Sequence, residues 1–267
     1  MPPGALSYCR AEMQLHSQSL GAGPPLLILH GLFGSLDNWN TVSRKLSENF
    51  HVIAADLRNH GLSPHSSEMS FESMAEDVAE LMVTHKLPTA FVLGHSLGGK
   101  VAMELALRHQ DKVEKLIVVD IAPRAYASRH REILDAMLSL DLSAFDSREP
   151  IEEALAPAVP ELAVRQFLLK NLTRDPNGRF HWKINLPAID RNYPHLNEAN
   201  RVGRKFNKPT LFIRGALSDY LGEEDFPLIE ELFPQAEIET LPGAGHWVHA
   251  EVPDIFVRTV SNFLKPN

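Results

Sequence analysis

Ser96 stands in Gly94-His95-Ser96-Leu97-Gly98, directly after the apolar run Phe91-Val92-Leu93 and just before a helix-compatible segment, Lys100 to His109. A serine at so sharp a strand-to-helix turn sits on a strained backbone with its hydroxyl exposed, the arrangement of a nucleophile elbow. Side chains two residues before and two after it would collide across the turn, and Gly94 and Gly98 remove them. The chemistry on offer is attack on a carbonyl carbon. For that, the serine needs a base to take its proton, a group that orients the base, and donors aimed at the developing oxyanion.

His246, in Leu241-Pro242-Gly243-Ala244-Gly245-His246-Trp247, is the expected general base and acid, because it follows the last apolar run on a glycine-rich loop. His249 lies at the start of the next helix and is the lesser candidate, and His95 is expected to point away from the serine. Two aspartates suit the order serine, acid, histidine. Asp120 ends the run Leu116–Val119, and Asp219 follows the run Leu211–Ile213. In chains of this order the acid usually occupies the third position after the strand-ending glycine, here Gly215. That position is Ser218, so Asp219 is displaced by one residue, and Asp120 is placed ahead of it. The backbone N–H of Leu97 is the first expected oxyanion donor. The second is the N–H of Leu32, with Phe33 next, in the glycine loop His30-Gly31-Leu32-Phe33-Gly34.

Parallel strands must bring these loops to one edge. Short apolar runs at Leu26–Leu29, Val52–Ala55, Phe91–Leu93, Leu116–Val119, Leu211–Ile213 and Ile238–Leu241 alternate with segments of helical spacing. This alternation predicts an α/β fold with a mostly parallel, doubly wound sheet. Met74, Val78, Leu81 and Met82 form one expected core stripe, and Ile255, Val260 and Phe263 another. Leu6 to His16 is read as an antiparallel edge hairpin. The interval 123–207 breaks the pattern with helices near Arg131–Leu140, Ile151–Ala156 and Glu161–Leu172, a turn at Asp175–Gly178, and the aromatic run Phe180–Ile184. It is expected to be a helical cap over a core made of 1–122 and 208–267. Phe33 and Trp182 are expected to line the substrate pocket, with Phe145, Phe167, Phe180 and Tyr193 also available.

Composition narrows the partners. Acidic residues number 34 against 26 Lys and Arg, and no basic run is present, which disfavours nucleic acid. The single cysteine, Cys9, leaves no internal disulfide or cysteine zinc site and suits a reducing compartment. Met1 to Leu6 has neither a charged leader nor a long apolar core, so a signal peptide is not expected. No run reaches 18 apolar residues. The expectation is a cytoplasmic protein, monomeric or a small homo-oligomer, with no membrane span, metal or organic cofactor.

Over nearly its whole length the chain resembles the α/β-hydrolases. The landmarks are His30–Gly34, Asp56-Leu57-Arg58-Asn59-His60-Gly61-Leu62-Ser63, Gly94–Lys100 and Gly245-His246-Trp247. Within that superfamily it is similar to the YbfF-like esterases and abhydrolase-domain 11 relatives, through Gly31–Trp39, Val119–Pro123 and Trp182–Asn185. The resemblance implies the α/β-hydrolase fold, supports Asp120 as the acid, and gives Asp56–Ser63 a structural part only. It also assigns dehalogenase and epoxide-hydrolase chemistry to relatives with an aspartate where Ser96 stands. The expected reaction is hydrolysis of a small-molecule ester or acyl thioester of short-to-medium acyl chain, through an acyl-enzyme. A lyase or carbon–carbon bond hydrolase using the same residues, or a slow-turnover ligand sensor, is the alternative.

Overall fold

In a computed structural model describing residues 13–200 and 203–265, the strands are β1 (Ser17–Leu20), β2 (Pro25–Leu29), β3 (His51–Ala55), β4 (Ala90–His95), β5 (Val113–Val119), β6 (Leu172–Arg174), β7 (Phe180–Trp182), β8 (Thr210–Gly215) and β9 (Ala236–Leu241). Seven of them form one sheet in the order β1-β3-β2-β4-β5-β8-β9. Only β1 runs antiparallel, pairing Ser17 with Ala55 and Leu20 with Val52. The chain belongs to the α/β class that the alternation predicts. The first edge strand differs from expectation. Residues 6–12 lie outside the described residues, Met13–His16 is not a strand, and β1 begins at Ser17.

The period of two along each strand explains why helices cover both faces. Leu27, Leu29, Val92, Val118 and Phe212 pack into one core, whereas Leu26, Ile28, Leu93, Ile117 and Ile213 pack into the other. Helix α1 (Asn40–Leu46) shares the second core with the closing helix α10 (Pro253–Leu264). Helices α2 (Phe71–Thr84) and α3 (Leu97–Arg108) fill the first, and α2 buries the predicted Met74, Val78, Leu81 and Met82. The stripe in α10 is shifted from expectation: Phe256, Val260 and Leu264 are buried, while Ile255 and Phe263 are only partly so. Neighbouring apolar residues made that face ambiguous in sequence.

The chain leaves β2 toward β3 on one side and returns to β4 on the other. This reversal opens a crevice at the carboxyl ends of β2 and β4, where doubly wound sheets bind ligands. Between β5 and β8 the chain inserts α4 (Arg131–Ser139), α5 (Arg148–Leu155), α6 (Leu162–Leu169), the antiparallel pair β6–β7, and α7 (Leu186–Asn192). The insertion is therefore not purely helical. The turn Asp175–Gly178 closes a hairpin, with the Gly178 N–H donating to the Asp175 carbonyl at 2.8 Å. Its two ends meet over α3. The Lys100 ammonium donates to the carbonyls of Arg124 (2.6 Å) and Glu198 (3.0 Å), and the Asn200 amide donates to the Lys100 carbonyl at 3.0 Å. Helices α8 (Phe226–Leu232) and α9 (Val248–Glu251) complete the molecule. Among the described residues no helix is long and apolar enough to cross a membrane.

Candidate active site

Ser96 lies alone between the end of β4 and the start of α3, with φ 51° and ψ −116°. A residue bearing Cβ at such angles costs about 1–3 kcal/mol, so its surroundings must hold it there. They do so through the Ser96 N–H, which donates to the Val119 carbonyl, and the Ser96 carbonyl, which accepts from Lys100 N–H, both at 3.0 Å. A Cβ on Gly94 would lie 2.1 Å from the Gly98 carbonyl oxygen, and one on Gly98 would lie 2.4 Å from that of Leu29. The glycines thus let the elbow close on itself and press against β2.

Asp120 also has φ 51°, one residue past β5, and it is fully buried. Its Oδ1 accepts from Gly215 N–H at 3.1 Å. Its Oδ2 accepts from the Ser218 hydroxyl and, at 2.7 Å, from His246 Nδ1. Asp219 is elsewhere: its exposed carboxylate pairs with Arg129 at 2.7 Å. Of the two candidate aspartates, the one that meets His246 is Asp120. Ser218, at the position where an acid was expected, supplies a hydroxyl to that carboxylate instead. Its part was missed, although its place after Gly215 was the available signal.

A carboxylate at Nδ1 makes that nitrogen the donor and leaves Nε2 of His246 as a bare acceptor. The loop carrying His246 reaches its position because Gly215 has no side chain. A Cβ there would come within 2.2 Å of the Gly245 carbonyl oxygen. Glu251 accepts from Gly245 N–H at 2.6 Å and from Trp247 N–H at 3.2 Å. Tyr220 stacks on the His246 ring with centroids 3.8 Å apart. Behind it, His95 Nε2 donates to the His246 carbonyl at 2.9 Å. His249 is buried flat against Trp39, with centroids 4.1 Å apart. Burial holds His95 well below its ordinary pKa and His249 down to about 3, so both rings are neutral supports.

The loop His30–Gly34 is shaped by two more buried histidines. His30 Nδ1 donates to the Gly31 carbonyl at 2.8 Å while its Nε2 accepts from Leu57 N–H at 3.0 Å. His60 Nδ1 donates to the Arg58 carbonyl at 3.0 Å while its Nε2 accepts from Phe33 N–H at 3.3 Å. Each ring donates once and accepts once, which only the neutral form can do. Burial lowers their pKa values to about 4 and about 3. The Phe33 N–H is therefore occupied, whereas the Leu32 N–H has no hydrogen-bond partner among the described residues. The Leu97 N–H, first in α3, likewise lies outside the intrahelical ladder and is free. Asp56–Ser63 thus supports this loop from below, through Asp56 accepting from Leu36 N–H at 2.8 Å and through His60. A buried bidentate pair, Arg58 to Asp77 at 2.6 Å, fastens the segment to α2.

Ser96 and His246 open onto one cavity of about 280 Å³. Its apolar walls include Phe33, Ile133, Val164, Phe167 and Trp247, so the insertion roofs the sheet edge. His130 also lines it, lowered to about 4 by burial, with its Nε2 3.2 Å from the Tyr220 hydroxyl. Trp182 does not line the cavity, against expectation. It packs from β7 onto the core, as Phe145 and Phe180 do. Aromatic type alone could not tell a pocket wall from a hairpin's inner face. Five described non-glycine residues have positive φ, and four of them, Phe33, Asn59, Ser96 and Asp120, sit in or directly beneath this site. Among the described residues no His, Cys, Asp and Glu cluster is arranged to hold a metal ion.

A family model described as the alpha/beta hydrolase fold matches residues 24–253. The chain is similar to the sn-1-specific diacylglycerol lipase ABHD11 of Xenopus tropicalis, 38% identical over 251 residues that cover 91% of this chain and 78% of the relative. It is similar to the Escherichia coli esterase YbfF, 36% identical over 241 residues, covering 90% of this chain and 92% of that protein. A solved structure described as a marine microorganism esterase superposes with a TM-score of 0.92 at 43% identity, covering 94% of this chain and 100% of that one.

Proposed function

Since the chain belongs to the α/β-hydrolase family and is a carboxylic ester hydrolase by its relatives, we propose that Ser96 is its nucleophile, His246 its general base and acid, and Asp120 the carboxylate that orients His246. One observation carries the assignment. His246 Nδ1 meets the buried Asp120 carboxylate at 2.7 Å on the cavity where the left-handed Ser96 turn opens. In the proposed cycle the bare Nε2 takes the Ser96 proton as the hydroxyl attacks the ester carbonyl. The negative charge that develops on the carbonyl oxygen is met by the free N–H groups of Leu32 and Leu97, the latter at a helix N-terminus. His246 then protonates the departing alcohol or thiol, and water repeats the sequence to release the acid. Asp120 stabilises the imidazolium that forms. In this reading residues 123–207 form a cap that selects substrates, and the protein works in a reducing compartment as a monomer or small homo-oligomer.

Replacing Ser96 by alanine tests the mechanism. Ester turnover by Ser96→Ala is expected to fall by about 10⁴-fold or more, with an unchanged circular dichroism spectrum. Turnover near that of the unaltered enzyme would refute it.

A further inference from the structure

Ser96 faces two spaces. Besides the large cavity, a recess of about 40 Å³ adjoins it, walled by Leu97, Ile121, Tyr126, Tyr193 and Leu196. Ser96, Leu32, Arg129, His130 and Tyr220 line both spaces, while His246 lines only the larger. We propose that the recess holds the acyl chain of the substrate and the large cavity its alcohol or thiol. On this assignment the enzyme cleaves short, uncharged acyl groups, from acetyl to butyryl, from bulky apolar leaving groups. The proposal rests on the serine-esterase reading above and refines it.

Proton delivery fixes which arm goes where. The leaving oxygen or sulfur must be reached by the imidazole that protonates it, so the leaving group occupies the space His246 faces. The acyl chain departs from the tetrahedral carbon in another direction. The recess beside Leu97, which His246 does not line, is the space left for it.

Volume sets the length. A water-sized group needs roughly 10–15 Å³ of such space. The recess, at about 40 Å³, then takes roughly three non-hydrogen atoms beyond the carbonyl carbon, which is a butyryl chain. The same measure gives the 280 Å³ cavity room for roughly twenty atoms.

The walls cannot easily yield. Ile121, Tyr193 and Leu196 are buried. The Tyr126 hydroxyl accepts from Ala122 N–H at 2.8 Å and donates to the Tyr220 carbonyl at 2.5 Å. The Tyr193 hydroxyl accepts from His130 N–H at 2.7 Å. Lys100, at the floor, directs two donors to the carbonyls of Arg124 and Glu198. Arg129 and Asn197 also line the recess, the first paired with Asp219 at 2.7 Å and the second donating to the Tyr193 carbonyl at 2.7 Å, and these ties favour a hydrocarbon chain over a hydroxylated or carboxylated one.

Two substrate series on the purified full chain test this. With p-nitrophenyl esters from acetyl to octanoyl, kcat/KM is expected to peak at or before butyryl and to fall at least tenfold by hexanoyl. With acetates of lengthening alkyl alcohols it is expected to rise about fourfold per methylene, the factor for burying one CH₂. Octanoyl esters cleaved as fast as acetyl, or an acetate series without a rise, would overturn the assignment. Leu196→Ala and the milder Ile121→Val are expected to raise the hexanoyl-to-acetyl ratio, the former at least tenfold, and an unmoved ratio in both also overturns it. If the unaltered enzyme cleaves no ester and a fluorophosphonate fails to label Ser96, the esterase reading itself fails.

Discussion

Acidification should unfold this protein earlier than its carboxylates alone would dictate, because neutral histidines are built into the site. His30, His60 and His249 are buried and His130 is half-buried, and loss of solvation lowers their pKa values to about 4, 3, 3 and 4 in that order. In the unfolded chain each returns to about 6.5. Between those values the unfolded state binds more protons, so the stability these groups allow is present above pH 6.5 and is lost as pH falls toward their folded values. At pH 5 each costs about 2 kcal/mol relative to neutral pH, or about 8 kcal/mol for all four. Total stability is only roughly 5–15 kcal/mol, so the loss is decisive. His95, lowered in the same direction, adds to it. The uptake of roughly 3.6 protons on unfolding near pH 5 gives a slope of about 5 kcal/mol per pH unit. Unpaired carboxylates titrate near 4 and contribute little between pH 6.5 and 5. Urea unfolding followed by tryptophan fluorescence at half-unit pH steps reads this slope directly. His249→Phe keeps the stack on Trp39 and removes one titrating ring, so it should lower the slope by about a quarter. A stability that stays level from pH 7 to pH 5 would refute the reasoning.

Three further substitutions probe the carboxylate behind His246. Asp120→Asn should lower kcat by about 10³–10⁴-fold by upsetting the tautomer of His246, whereas Asp219→Asn, which loses only an exposed pair with Arg129, should stay within about threefold. A collapse confined to the second variant would reverse the assignment, and steady-state kinetics on a single acetate ester distinguish them. Ser218→Ala removes one hydrogen bond from the Asp120 carboxylate but leaves those from Gly215 and His246, so kcat should fall about tenfold with KM unchanged. An unaltered kcat would mean that the Ser218 hydroxyl has no part in aligning the pair.

How far the chain could be read without its structure depended on the range of the forces involved. The elbow is encoded locally. A turn that brings the Gly98 carbonyl within 2.1 Å of where a Cβ on Gly94 would stand admits no other residue there, so glycine spacing after an apolar run reports the backbone directly. The parallel sheet was legible for a similar reason, since a strand buried on both faces must be apolar throughout, as Leu26–Leu29 is. Helix faces were less legible: in α10, Ile255 and Phe256 are both apolar, and only packing against α1 showed which one is buried.

Tertiary structure decided what depends on distances between elements remote in sequence. Asp120 and Asp219 both follow strands that end at the same sheet edge, and the one-residue displacement of Asp219 after Gly215 ranked them in sequence without fixing which carboxylate reaches His246. Which carboxylate meets His246 follows from the left-handed turn at Asp120 and from the Ser218 hydroxyl arriving where an acid was expected. Of the two N–H groups weighed in the loop His30–Gly34, that of Leu32 and not that of Phe33 is free among the described residues, because His60, 27 residues further along, accepts the Phe33 N–H. The cavity walls were set in the same way. Phe167 faces the site and Trp182 does not, since the hairpin turns that indole onto the core. The sequence by itself determined the turns, which short-range sterics allow only to certain residues. Only the folded chain could decide the partners, because they are chosen by the few ångströms separating loops that the sheet brings together.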